Sequence, residues 1–408
     1  MALALLADRW ARDLGGRILA LIVDHALRSG SAAEAALTAD RLAAFGIAHR
    51  TFTLTDLPPG TGLAERARQA RYRVLTEACA NAGIVHLLLG HHLADQAETL
   101  LIRVLGGSTA SGLASMASRL ETSQLRLLRP LLDVPPGQLR AYLRAAGIGW
   151  VEDPSNRKMD ALRPRLRALR ADRDGVGSAS FALAAAAAAH GAARGARERE
   201  SAAAMARTIS MRPEGFAVLS HEPLPPSVFA ALVRAISGAP YPADTAAIAA
   251  LAGAPRPATL AGIRLIEANW AADGGIAVPS LLMLREEAAI AGDVQPVSGA
   301  IWDGRYRFRA VPAASGSIFD GLVLGKLGEA AARFRRASRL PSAVLRTLPA
   351  LWRRSDCGDG VSRTSENGGN REMLVAVPHL GYGDSQVSAL IEVVFAPPRP
   401  AAPASFAA

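Results

Sequence analysis

The chain is short of cysteine, lysine and long apolar runs, and each shortage excludes something. Only two cysteines occur in 408 residues, Cys79 and Cys357. They form no C-x-x-C, so no disulfide framework is encoded, which fits a cytoplasmic protein. The longest uninterrupted apolar run, Phe181 to Ala189, is mostly Ala and too short to span a bilayer. No basic stretch precedes the first apolar residues, so no signal peptide is expected. Lysine is reduced to Lys158 and Lys326, and every other basic residue is Arg.

What is present is apolar and basic. Half the residues are hydrophobic, largely Ala, which favours helix and leaves ample core for two or three domains. Net charge is +10. Such a balance favours polyanions, and guanidinium forks match phosphate oxygens. A genome-wide preference for Arg over Lys accounts for the residue choice but not for the net excess.

One stretch organises the rest, His86 to Gly107. A strand-length apolar run ends in Gly90 and gives way to a helical period. Ala97, Leu100, Leu101 and Val104 fall on one face. His91, Asp95 and Glu98 lie on roughly the opposite face, near the helix start. The spacing serves two readings equally: a solvated face whose acids suit the helix dipole, or a site with an imidazole and two carboxylates.

Strand and helix alternate around this unit, which implies βαβ crossovers and a parallel sheet. Met1–Leu14 reads as a helix that starts without a cap. Arg17–Val23 reads as a buried strand running into Asp24 and His25, and an acid there is where open α/β sheets place ligand groups. A turn-capping Asp is the plain alternative. Helices are expected over Ala32–Phe45, Leu63–Ala82 and Pro135–Ala146, with strands over Ala48–Leu54 and Leu125–Leu132. The Leu63–Ala82 helix carries Arg66, Arg68, Arg71 and Arg73, which taken alone read as a solvated face. Trp150 to Asn156 reads as a polar turn after a short hydrophobic step. Arg163, Arg167 and Arg170 then make a basic stripe on a helix. Residues 178–254 read as a small helical domain, 255–395 as a small α+β region, Cys357–Glu372 as a mobile loop and 396–408 as a disordered tail. A second basic cluster holds Arg333, Arg335, Arg336 and Arg339.

At Val23–Ala35 (VDHALRSGSAAEA), Leu88–Met116, Leu127–Leu132 (LLRPLL) and Glu152–Asn156 (EDPSN), the chain resembles the tRNA(Ile)-lysidine synthetases of the PP-loop ATP pyrophosphatase superfamily. The resemblance covers residues 1–170 in order; Trp302–Phe308 and Leu374–Tyr382 resemble the C-terminal part of the bacterial family more weakly. It implies an α/β, adenine-nucleotide alpha-hydrolase-like N-terminal domain. It also implies a ligase that uses ATP and Mg²⁺ to adenylate the wobble cytidine of a tRNA(Ile) with a CAU anticodon, then joins free lysine to it. By the same resemblance Asp24, His91, Asp95 and Glu98 are catalytic. Asp24, His25, Gly90 and His91 contact the nucleotide, and Asp95 and Glu98 hold the metal. Asp153, Ser155, Asn156, Arg163, Arg165 and Arg167 contact substrate or tRNA. The oligomeric state is open, with a homodimer one option.

Two departures stand out. Gly106 occupies a position where the family has Arg. The Ser-Gly-Gly loop that cradles ATP phosphates in the superfamily is absent, and Met1–Leu6 resembles the helix that follows it. The expectation is therefore that the natural protein starts upstream, that this chain binds ATP poorly, and that the neighbours of the missing strand are left imperfectly paired. A tRNA-binding remnant without catalysis is the competing reading. Thiolases of the superfamily that work through paired cysteines are disfavoured by Cys79 and Cys357.

Overall fold

A computed structural model describes the chain except residues 56, 58–59, 123, 152–161, 173, 240–244, 272–274, 311–318, 355–370 and 403–404. The chain divides into two compact units, Met1–Glu198 with Ala404–Ala408, and Arg199–Pro403.

The first unit opens with helix α1 (Ala2–Asp13), strand β1 (Ala20–Asp24), α2 (Ser31–Ala44), β2 (His49–Thr53) and α3 (Leu63–Asn81). It continues through β3 (His86–Leu88), α4 (Leu93–Leu105), α5 (Ala110–Leu113), β4 (Arg119–Glu121), β5 (Arg126–Leu128), α6 (Pro136–Ala145), α7 (Leu162–Arg170) and α8 (Ser178–Thr208). Strand β1 pairs in parallel with β2, and β3 pairs in parallel with β5. Leu75 and Cys79 of α3 pack on Leu87, Leu89, Leu125 and Leu127, with Leu21 and Val23 against them. This apolar layer fixes where β3 ends, and so where His91 and α4 begin.

The second unit holds a five-stranded antiparallel sheet, ordered β6 (Ile209–Met211), β7 (Ala217–Leu219), β10 (Val278–Arg285), β9 (Ile263–Trp270) and β8 (Ala258–Leu260). Helices α9 (Pro226–Ser237) and α10 (Thr245–Gly253) belong to it; Phe229, Leu232 and Ile236 of α9 share a core with Leu219, Leu265, Leu281 and Met283. Beyond it come β11 (Ile301–Trp302), β12 (Tyr306–Ala310), β13 (Leu322–Lys326), α11 (Ser342–Leu345), β14 (Pro349–Arg354), β15 (Arg371–Val377), β16 (Tyr382–Gly383), α12 (Ser385–Ser388) and β17 (Ile391–Phe395). They form two further sheets, β11-β12-β17 and β13-β14-β15-β16.

The parallel pairs β1–β2 and β3–β5 lie in two hydrogen-bonded sheets, and no ladder joins β1 to β3 among the described residues. The expectations for the later segments need correcting. Residues 178–254 are not a separate helical domain: the β6–β7 hairpin interrupts them and joins the sheet of β8, β9 and β10. The division between units falls inside α8. The tail is not free from residue 396 either. The Ala396 N–H donates to the Arg305 carbonyl at 2.8 Å, and Ala407 bridges to Arg119. Among the described residues no helix is long and apolar enough to cross a membrane.

Candidate functional site

The site is built where β3 gives way to α4. His92 is the N-cap of α4, and the Asp95 carboxylate accepts the His92 backbone N–H at 3.0 Å. This locks the first turn, since the opening N–H groups of a helix have no partner inside it. One turn on, Glu98 is completely buried. A solvated face is thereby excluded for Glu98: an ionised carboxylate out of water requires compensation. The compensation comes from α7. Arg167 donates Nε to Glu98 Oε1 at 2.6 Å and Nη2 to Oε2 at 3.1 Å, while Arg163 Nη1 lies 3.5 Å from Oε2. Arg167 also reaches Asp95 Oδ1 at 3.6 Å. Burial works against the Arg167 charge, but the hydrogen bond and charge of Glu98, with Asp95, outweigh it and push its pKa up.

His91 sits just before the cap. Burial, reinforced by Arg129, Arg68 and Arg71, pushes its pKa down to about 4 against the opposing pull of Asp95. It is therefore neutral at pH 7. Its Nδ1 is buried without a hydrogen-bond partner among the described residues, and so are Nε of Arg71 and Nε of Arg129. Arg129 is 7 % exposed and donates Nη1 to the Ala117 carbonyl at 2.7 Å. The ladder places it here: Leu88 pairs with Leu128 and His92 bridges to Leu131, so Arg129 lies alongside Leu89 and Gly90, within electrostatic reach of His91. Buried N–H groups left unpaired cost about 1–3 kcal/mol each unless a ligand meets them. Two guanidinium N–H groups of this kind suit an anion.

Asp24 ends β1. Its Oδ1 accepts the Ala26 N–H at 2.9 Å, an approach made possible by the left-handed Ala26 at φ 51°. That bond, then the Ser31 hydroxyl, with the charges of His25 and Arg28, holds its carboxyl below the usual range against burial. These partners all come from the turn after β1 and the first residue of α2. The structure thus groups His91, Asp95, Glu98, Arg163 and Arg167. Gly90 is exposed and has no left-handed backbone. Arg165 is exposed. Asp153, Ser155 and Asn156 lie outside the described residues.

Sequence reasoning missed Arg129 and Gln96. The only signal for Arg129 was a charged residue inside an otherwise apolar LLRPLL. Gln96 uses both ends of its amide on Met116, donating to its carbonyl at 2.9 Å and accepting its N–H at 3.1 Å. Arg68 and Arg71, which look like a solvated stripe, face His91 electrostatically.

The residues present fit ATP and Mg²⁺ unequally. The orphaned N–H groups of Arg71 and Arg129 fit phosphate oxygens. Glu98 does not fit a magnesium sphere as arranged, because guanidinium groups meet both of its oxygens. Among the described residues no cluster of three or more His, Cys, Asp or Glu could hold a metal ion.

Comparison with known proteins bears on this geometry. A family model for the PP-loop domain matches residues 1–170, the segment that carries β1 through α7. The U34-tRNA thiolase NcsA from Methanococcus maripaludis is similar in structure over 46% of this chain and 65% of that one, at TM-score 0.39 and 12% identity, a likeness too distant to weigh here. The tRNA(Ile)-lysidine synthase of Bradyrhizobium diazoefficiens is 47% identical over 171 residues, 41% of this chain and 47% of that protein. The match thus spans about half the length of such relatives. The tRNA(Ile)-lysidine synthase of Ruegeria pomeroyi is 32% identical over 350 residues, 82% of this chain and 79% of that protein. With a relative of that length matched through both units, the chain belongs to the tRNA(Ile)-lysidine synthase family.

Proposed function

We propose that this protein uses ATP to join free lysine to the wobble cytidine of a tRNA(Ile) with a CAU anticodon, forming lysidine. The observation that carries the reading is the polarity of the site. An acid pair, Asp95 and Glu98, already holds an organic cation, and Arg71 and Arg129 carry buried Nε–H groups left unspent.

The chemistry needs both halves. Attack of the cytidine C2 oxygen on the α-phosphorus of ATP forms a P–O bond and expels pyrophosphate. Arg71 and Arg129 bind and orient the phosphates. Attack of the lysine ε-amine on C2 then forms a C–N bond and breaks the C–O bond, with AMP as leaving group. Lysine enters as an ammonium, which Asp95 and Glu98 bind in place of the Arg167 guanidinium. It must lose a proton before it attacks; His91, with its pKa pushed down to about 4, is too weak a base to hold that proton and is assigned to positioning beside the acid pair. Asp24, the last residue of β1, is assigned to the nucleotide and cytidine. Magnesium would shield the phosphates when bound; no step here is routed through it.

The basic surface supplies the polyanion contact. Arg333, Arg335, Arg336 and Arg339 are all exposed. No ion pair involves them among the described residues, and with Arg165 they are the groups assigned to tRNA. The test is ATP consumption and nucleoside analysis with tRNA, lysine and ATP together. Lysidine is the expected product. Glu98→Gln should raise the lysine KM by about tenfold to a hundredfold, the worth of a charge-assisted hydrogen bond. Tight, salt-dependent tRNA binding with no lysine-dependent ATP consumption would instead establish the non-catalytic reading.

A further inference from the structure

The last described residues do something no part of the proposed reaction requires. Ser405–Ala408 lies against the first unit and belongs to it. Ala407 bridges antiparallel to Arg119, the first residue of the exposed edge strand β4. Its carbonyl accepts both the Ser118 N–H at 2.9 Å and the Ser118 hydroxyl at 3.2 Å. The Phe406 N–H donates to Glu198 Oε2 at 2.6 Å, and the Arg194 guanidinium sits 4.7 Å from the centre of the Phe406 ring. Helix α8 is shaped for that ring: a Cβ on Gly191 would stand 2.8 Å from Phe406 Cε1. A glycine inside a helix otherwise only weakens it.

The same loop that receives Ala407 is wired to the site. Met116 is bonded in both directions to Gln96, which stands between Asp95 and Glu98 on α4. The Ala117 carbonyl accepts Arg129 Nη1 at 2.7 Å. The Ser118 carbonyl accepts the Arg129 N–H at 2.7 Å. Three consecutive residues therefore hold the acid-bearing helix, the buried arginine and the Ser405–Ala408 segment in turn. Ser115 just before them takes a left-handed backbone at φ 57°, so this loop is held in shape by its partners and not by local preference.

We infer that Ser405–Ala408 is a strap that positions the catalytic centre: Phe406 and Ala407 fix Met116–Ser118, and through them the acids of α4 and the Arg129 guanidinium. They are positioning residues, since neither touches a reacting group. The inference rests on the proposed function for its kinetic consequence only; the mechanical link stands without it.

The experiment uses the full chain, a variant lacking Ser405–Ala408, and the pair Phe406→Ala and Phe406→Tyr. Amide hydrogen exchange is followed in all four. Loss of the strap, or of the ring, should speed exchange about tenfold in Gln96–Leu101 and Met116–Arg119, with α2 and the β9–β10 ladder unchanged. Phe406→Tyr, which keeps a ring over Arg194, should behave as the parent. In lysidine assays the lysine KM should rise about tenfold while kcat moves less than about threefold. Unchanged exchange in α4 after deletion overturns the inference, as does faster exchange spread evenly over the first unit, which would mean a merely structural clamp. Should no variant, parent included, form lysidine, the proposed function fails while the exchange result still decides the strap.

Discussion

Two buried carboxylates, one in each unit, solve the same problem in different ways. Asp303 in the second unit accepts Arg285 Nε at 3.1 Å and Nη2 at 3.0 Å, Arg305 Nε at 2.7 Å and the Ala291 N–H at 2.9 Å. Arg305 is wholly buried and Arg285 nearly so, and they stand on or beside strands β10 and β12. Glu98 in the first unit is just as buried, but its arginines come from a surface helix with side chains 36 % and 44 % exposed. The arginines of the Asp303 cluster have no exposed side chain to swing into water. The Glu98 pair can open by swinging two half-exposed side chains into water, where a guanidinium is well solvated. A buried ion pair is weak evidence for stability in itself. What distinguishes strut from site is how the cation is anchored.

That comparison is broken most directly at Asp303. Asp303→Ala leaves two buried guanidinium groups uncompensated and should cost about 3–5 kcal/mol. Denaturant melts should show the second unit unfolding early, and a loss below about 1 kcal/mol would mean the cluster is not the strut described.

A smaller effect of opposite sign is expected at the other pair. If Arg167 occupies the place of the lysine ammonium, Arg167→Met removes a competitor. Lysine should then bind severalfold more tightly in a calorimetric titration, with Arg163 still partnering Glu98. Weaker lysine binding would make Arg167 a lasting part of the bound site.

His91 sharpens the contrast through pH. Its pKa is about 4 in the fold and near 6.5 in the unfolded chain. Between these values the unfolded state binds more protons, so stability rises with pH across that window, and a penalty on the fold builds up as pH falls towards 4. Chemical melts of the parent and His91→Asn between pH 4 and 7 should show a shallower slope for the variant. Equal slopes would place the titration elsewhere.

The smallest effect is expected at Gly90. A Cβ there would meet only Leu3 Cδ2 at 3.8 Å, an ordinary contact, and the backbone is not left-handed. Gly90→Ala should leave stability and ATP affinity within about twofold. A large loss of ATP binding alone would show that the backbone at this position touches the nucleotide.

Much of the first unit was legible in its residues. The apolar runs at Leu21–Val23 and Leu87–Leu89 and the helical period from Ala97 to Val104 announced strand, strand and helix, because side-chain periodicity is a local property. The three-residue strand β4, sequence RLE, carried no alternation to read, and all three of its residues are exposed. The β6–β7 hairpin was masked by the Ala-rich helix before it and α9 after it, since its strands are three residues each.

The sequence by itself determined which residue types meet at the start of α4, since His91, Asp95 and Glu98 sit within two helical turns. It also determined the family, through motifs spread over residues 23–156. Only the tertiary structure decided what those groups are. Glu98 is a buried acid because Arg163 and Arg167 return to it from more than sixty residues away. His91 is neutral because the chain fold removes water from it, an effect that the charges of Arg129, Arg68 and Arg71 reinforce. Ala407 reaches Ser118 across a sequence separation of 289. Charge state and burial depend on neighbours distant in sequence, and no local pattern encodes them.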